Sequence, residues 1–193
     1  MTGFLTAIKV LSYDPLDNAG SWIWDSQTSS IHDGILEMSG KSDWASSVSL
    51  KTQIVEGTGV VLKFKLQKAN AHSEFVFVSG DWQTDGFRQF GIYNDRRPKA
   101  DLFQGANAIG GNNLGGNLTL AGDTWYYIVM AVGKHGDFLA VIWDPNSESH
   151  RAVYHETLGD KWGGRSWNFM PKEDEGETLY IDECYRISFG EIK

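Results

Sequence analysis

The sequence predicts an all-β protein: a two-sheet antiparallel β-sandwich with the connectivity of a jelly roll. Three observations carry that expectation. About a dozen short segments alternate apolar and polar residues at the 8–12-residue spacing of a sandwich. The 193 residues include 22 glycines and are 13% aromatic, a composition of tight turns between aromatic-rich strands rather than of a helical bundle. No stretch keeps the 3.6-residue period of an amphipathic helix, and no internal repeat recurs. The length suits one domain, residues 1–193, with 1–20 as a lead-in strand and loop.

Taken in order, Phe4 to Leu11 is a short apolar segment, and Asp14-Pro15 with Asp17-Asn18-Ala19-Gly20-Ser21 are loop residues. Ser21-Trp22-Ile23-Trp24-Asp25 puts two tryptophans on one side of an extended segment, for the core, a ligand face, or one of each. His32-Asp33-Gly34 is a turn into Ile35-Leu36-Glu37-Met38-Ser39. Ser47 to Ile54 alternates, with Val48, Leu50, Thr52 and Ile54 on one side. Glu56-Gly57-Thr58-Gly59 predicts a hairpin into Val60 to Leu66, whose apolar residues alternate with lysines as in a sheet with one wet side. Glu74 to Val78 is apolar on both faces and so central.

Downstream, Ala106 to Asn117 is Gly- and Asn-rich, which predicts a flexible flap rather than a regular element. Trp125 to Val132 is a long central strand with Ile128, Met130 and Val132 toward the core, turned by His135-Gly136-Asp137 into Phe138 to Asp144. Arg151 to Glu156 reads as an edge strand, Asp160 to Phe169 as an aromatic, arginine-bearing loop, and Lys172 to Glu177 as a solvated acidic turn. Thr178 to Phe189 closes the fold.

A formal charge of −8 and a pI near 5.0 argue against nucleic acid and anionic membranes as partners. No apolar run approaches the roughly 20 residues a membrane-spanning helix needs. The single cysteine, Cys184, excludes an internal disulfide and reads as a small buried hydrophobe. Met1 to Leu11 lacks the charged n-region and cleavage site of a secretory signal, so localisation is not legible; a carbohydrate-binding module would work outside the cell.

The stretch Gly86 to Gln104 carries the densest set of ligand-type residues. Its alternation places Phe87, Gln89, Gly91 and Tyr93 on one face and Arg88, Phe90, Ile92 and Asn94 on the other, before the charged turn Asp95-Arg96-Arg97-Pro98. Sugars lay apolar C–H faces on aromatic rings and exchange paired hydrogen bonds with Arg, Asn and Gln. The expected ligand residues are therefore Trp82, Arg88, Gln89, Tyr93, Asn94, Arg96 and Arg97, with Trp162 and Trp167 as outer candidates. The bland alternative makes Phe87, Phe90, Ile92 and Tyr93 core and pairs the arginines with Asp95 and Asp101 on the surface.

Three motifs, Asp33-Gly34-Ile35-Leu36, Trp125-Tyr126-Tyr127-Ile128 and Leu179-Tyr180-Ile181-Asp182-Glu183, resemble concanavalin A-like jelly rolls of the laminin-G and carbohydrate-binding-module type. The resemblance covers the chain from about residue 20. It implies a glycan ligand, with a structural calcium at Asp182 and no required cofactor. An Asp-Glu pair in a strand is otherwise outward-facing or hydrogen-bonded. Hydrolysis is poorly supported, because adjacent Asp182 and Glu183 should point to opposite faces, whereas a retaining pair shares one face. Phe90-Gly91-Ile92-Tyr93-Asn94 looks like the tyrosine strand of jelly-roll alginate lyases, but no Gln-x-His or Arg-x-Glu-x-Arg element accompanies it. The expectation is a non-catalytic carbohydrate-binding module for a polysaccharide or oligosaccharide, from a parent glycan-active enzyme. The alternatives are a polysaccharide lyase or glycoside hydrolase, and a laminin-G-like protein-interaction domain.

Overall fold

The alternation becomes two antiparallel sheets. The computed structural model describes residues 3–23, 28–39, 48–69, 74–79, 88–93, 97–104, 107–113, 115–157, 166–172 and 177–193. The strands are β1 (Lys9–Asp14), β2 (Trp22–Ile23), β3 (Ser29–His32), β4 (Ile35–Ser39), β5 (Val48–Gln53), β6 (Thr58–Leu66), β7 (Glu74–Ser79) and β8 (Arg88–Tyr93). They continue as β9 (Arg97–Gln104), β10 (Asn107–Asn113), β11 (Gly115–Gly116), β12 (Thr124–Val132), β13 (Asp137–Asp144), β14 (Ser147–Thr157), β15 (Ser166–Lys172) and β16 (Thr178–Ser188). One sheet has nine strands in the order β11-β14-β13-β12-β6-β16-β4-β3, with β1 also on β16; the other has seven, β10-β9-β8-β7-β15-β5-β2.

Local chemistry accounts for the turns. Asp33 and Gly34, at φ 52° and 75°, form a two-residue loop between β3 and β4, the conformation that Asp-Gly favours in hairpins. β12 and β13 pair as the expected hairpin. The segment Glu56 to Gly59, however, closes no hairpin: β5 belongs to the seven-stranded sheet and β6 to the nine-stranded one. Leu50 and Ile54 are buried from one side and Val60, Leu62 and Phe64 from the other, so the chain must change sheets here. Gly57, at φ 75°, permits the turn; its N–H donates to Val132 O (2.7 Å) and its carbonyl accepts from Phe189 N (2.9 Å).

The core lies between the sheets. Leu62, Phe64, Ile128, Met130, Val132, Phe138, Ile142, Leu179 and Ile181 meet Trp22, Leu50 and Trp167 there. Trp22 also donates from Nε1 to Asp14 Oδ2 (3.0 Å), while Leu16 N donates to Asp14 Oδ1 (2.9 Å), so one carboxylate ties the first loop to the core. Cys184 is buried, and burial pushes its thiol up to about 12, as suits an inert filler. A second, smaller cluster lies on part of the outer face of the nine-stranded sheet, where Val61, Val129, Ala131, Leu139, Val141 and Ile187 gather with Leu5 and Phe189.

Several expectations change. Residues within Asp160 to Phe169 are not all loop: Ser166–Lys172 is β15, paired on both sides by β7 and β5. Trp167 is 2% exposed in the main core, which corrects its assignment as an outer ligand residue. A strand paired on both edges has one face toward the opposite sheet, and the Trp167 ring fills it. The Gly- and Asn-rich stretch is also ordered as strand, β10 on β9 and β11 on β14. Both lie at sheet edges, where weak β-formers are best tolerated. At the end of the acidic stretch, Glu177 is 1% exposed and accepts from the backbone N–H groups of Lys68, Ala69 and Thr178, each at 3.0 Å. It clasps the 67–69 turn rather than meeting solvent.

Candidate functional site

The face the ligand stretch presents follows from register. Leu50 and Trp167, 3% and 2% exposed, mark the core side of the seven-stranded sheet. Directly paired residues share a face, so the pairings can be followed outward strand by strand. Trp167 pairs with Ser79 and Phe169 with Phe77; Ser79 pairs with Arg88 and Phe77 with Phe90; Arg88 pairs with Leu102 and Phe90 with Ala100. These positions form the core side. The other parity forms the outer face: Asn168 opposite Val78, Val78 opposite Gln89, Gln89 opposite Asp101, Gly91 opposite Lys99, and Tyr93 opposite Arg97.

Of the expected ligand residues, Gln89, Tyr93 and Arg97 are therefore brought together on the outer face of adjoining strands. Arg88 falls on the opposite face, in register with Phe90 and Ile92. Trp82, Asn94, Arg96 and Trp162 lie outside the described residues. The same face includes positions not counted among the expected ligand residues: Gly91, Lys99, Asp101, Asn168 and Lys51. The signal for β9 was present, because Arg97, Lys99, Asp101 and Phe103 alternate with Pro98, Ala100 and Leu102. Lys51 Nζ, on β5, donates to Gly20 O at 2.9 Å. Gly91 leaves one central position without a side chain, a place where another molecule can approach the backbone.

Two carboxylates share this outer face among the described residues, Glu74 and Asp101. Tyr93 stands opposite Arg97 and next in line is Glu74, whereas Asp101 lies four residues along β9 and two strands away. Strand geometry separates the two positions by about 16 Å. Paired glycosidase carboxylates stand at roughly 5–9.5 Å.

The outer face of the nine-stranded sheet has a different construction. Pairing of β16 with β6 shifts between Ile181 and Glu183, so Asp182 and Glu183 both reach Lys63 rather than pointing apart. Asp182 accepts from Lys63, which lies 3.4 Å from Glu183 Oε1. Tyr185 Oη donates to Glu183 Oε2 (2.8 Å) and Tyr127 Oη to Oε1 (3.5 Å). The bond to Asp182 is the largest influence holding the Lys63 pKa above its ordinary value. The bond to Glu183, with burial behind it, pushes the Tyr185 phenol up to about 12; burial, then Glu183, raises Tyr127. Tyr127 stacks on Trp143 (5.3 Å) and Tyr13 on Tyr185 (4.8 Å). Lys63 and Lys65 lie over the Trp125 ring at 5.2 and 5.1 Å.

Asp182, expected at a calcium, thus has an ammonium as its partner, and an ammonium there competes with any cation. No group of three or more His, Cys, Asp or Glu gathers for a metal among the described residues.

No protein-family model matches the chain, and no curated protein matches it in sequence. Solved structures match its fold. A β-1,3-glucanase from Mycobacterium marinum superposes with a TM-score of 0.63 at 10% identity, over 92% of this chain and 98% of that one. The CBM2 module of the evolved Dit of Lactobacillus casei BL23 phage J-1 superposes at 0.64 and 10% identity, over 94% and 96%. The VIP36 exoplasmic/lumenal domain, in its Ca2+/Man3GlcNAc-bound form, superposes at 0.60 and 7% identity, over 90% and 85%. At such identities the likeness establishes the fold, and it is consistent with the concanavalin A-like sandwich expected from the sequence.

Proposed function

We propose that the protein is a non-catalytic carbohydrate-binding module that holds a polysaccharide or oligosaccharide across the outer face of the seven-stranded sheet. The observation that carries this reading is the register of β8 and β9, which puts Gln89, Gly91 and Tyr93 beside Arg97, Lys99 and Asp101 on one face. An aromatic position for the apolar side of a sugar ring then adjoins amide and guanidinium positions for its hydroxyls. The fold neighbours named for glucanase activity and for a bound mannose oligosaccharide favour a glycan as the class of ligand. The separation of Glu74 from Asp101 favours binding over hydrolysis. Trp82, Asn94, Arg96 and Trp162 belong to the proposal on sequence grounds, as does a parent glycan-active enzyme.

The test is affinity electrophoresis in gels containing neutral and uronate polysaccharides, with and without calcium, alongside absorbance of unsaturated uronides and reducing-end assays. Retardation without new absorbance or reducing ends is the expected result, and Tyr93→Ala should weaken it. New uronide absorbance would make the protein a lyase; new reducing ends would make it a hydrolase. Retardation by no polymer, with one specific protein captured instead, would replace the proposal with a laminin-G-like interaction domain.

A further inference from the structure

We infer that the polysaccharide held on this face is anionic, a uronate-bearing chain drawn to the juxtaposition of Arg97 and Lys99 with Tyr93 and Gln89. This rests on the proposed function and specifies its ligand.

The argument begins with charge. The chain carries −8 overall, yet the charged positions on the described outer face of the seven-stranded sheet are four basic, Lys51, Arg97, Lys99 and Lys172, against two acidic, Glu74 and Asp101. A basic excess among these positions, in a protein that is acidic overall, favours capture of an anion on this face. On the other sheet the lysines are met by carboxylates: Asp182 and Glu183 surround Lys63, and Asp123 Oδ1 lies 2.7 Å from Lys65 Nζ.

The basic positions also have a useful order. Arg97 and Lys99 are two residues apart on one strand, about 7 Å along it and on the same side. Their cross-strand neighbours are Tyr93 and Gly91. An aromatic position and a position without a side chain therefore border two cationic ones, so a ring could lie beside Tyr93 with an anionic substituent toward β9. A guanidinium fork matches a planar carboxylate with two parallel hydrogen bonds, which a neutral hydroxyl cannot offer.

The same pattern favours carboxylates over dense sulfate. Heparin-type patches are runs of basic residues. Here the basic positions are single, separated by neutral ones, and interleaved with Glu74 and Asp101, which suits a sparse polyanion that also offers hydroxyls.

The experiment is affinity electrophoresis of the parent protein and variants in gels holding polygalacturonate, hydroxyethylcellulose or dextran sulfate. Polygalacturonate should retard the parent most strongly, and 0.5 M salt should weaken that retardation. Arg97→Gln with Lys99→Gln should weaken it about tenfold or more. Lys65→Gln, a charge change on the other sheet, should leave it unaltered. If the double variant fails to fold by circular dichroism, Lys99→Gln alone carries the test. Equal retardation by hydroxyethylcellulose, lost in Tyr93→Ala and unchanged in the double variant, would overturn the anionic ligand and leave the carbohydrate-binding reading standing. Preference for dextran sulfate, or equal sensitivity to Lys65→Gln, would reduce the effect to nonspecific ion exchange and overturn the inference. Retardation of the parent by none of the three polymers would overturn both.

Discussion

The two sheets share one core but use their outer faces differently. On the nine-stranded sheet, the charged and aromatic groups answer one another: Lys63 meets Asp182 and Glu183, Tyr185 and Tyr127 bond to Glu183, and Tyr127 stacks on Trp143. Beside them, the apolar Val61, Val129 and Val141 are covered by the chain's own termini. The outer face of the seven-stranded sheet sets polar, aromatic and basic positions side by side around a glycine. Aromatic and charged residues on a sheet are thus not in themselves a binding site. On the nine-stranded sheet their hydrogen-bonding and stacking capacity is spent within the molecule.

That contrast can be tested by substitution, beginning with the core the sheets share. Trp167→Ala should lower stability by about 3–5 kcal/mol, because it empties a buried aromatic position. Urea unfolding measures it; a near-normal midpoint with lost glycan retardation would return Trp167 to the ligand face. Tyr93→Ala should do the reverse, weakening glycan binding about tenfold, or ~1.4 kcal/mol, with stability changed by roughly 0.5 kcal/mol or less. A cooperative loss of fold in Tyr93→Ala would make it a core residue and remove it from the ligand face.

The closed face should reveal itself in alkali. Tyr185 keeps its proton more tightly when folded, with its pKa raised from its ordinary value of 10.0 to about 12, so the folded state binds more protons between those values. Its contribution is fully present below about pH 10 and lost as pH rises toward 12. After allowance for screening at this partly exposed site, that loss is on the order of 1 kcal/mol. Cys184, raised from 9.0 to about 12, and Lys63 titrate in the same direction. Comparing parent with Tyr185→Phe by urea unfolding at pH 8 and pH 11.5 isolates the tyrosine, and an identical pH slope in the two proteins would count against the Glu183 bond. The smallest effect is expected from Lys63→Ala, whose partly exposed ion pairs should contribute about 0.5–1 kcal/mol. A difference that fails to shrink in 1 M salt would make them more than surface pairs.

Much of the candidate face was legible once alternation was taken seriously. Gln89, Gly91 and Tyr93 were correctly placed on one side of a strand because side-chain direction has period two. Alternation does not say which side meets the core, and so Arg88 was grouped with residues from which the sheet separates it. Arg97 was read as part of a turn because Asp95 to Pro98 carries turn-type residues, and β9 was missed with it. Trp167 was misplaced for a related reason: Gly163, Gly164 and Asn168 look like loop composition, while pairing with β7 and β5 makes Ser166–Lys172 strand. Asp182 and Glu183 were expected to diverge, and a register shift brings both to Lys63.

By itself the sequence determined the β class, the two-sheet architecture, the Asp33-Gly34 hairpin, the alternating core of β6 and β12, and the buried, inert character of Cys184. These depend on side-chain period and turn chemistry, which act over a few neighbouring residues. Only the tertiary structure decided that Glu56 to Gly59 carries the chain between sheets, that Glu177 clasps a turn 108 residues away, and which face of β8 looks outward. Those outcomes depend on pairing between distant strands, where register is set by how whole apolar faces meet across the core.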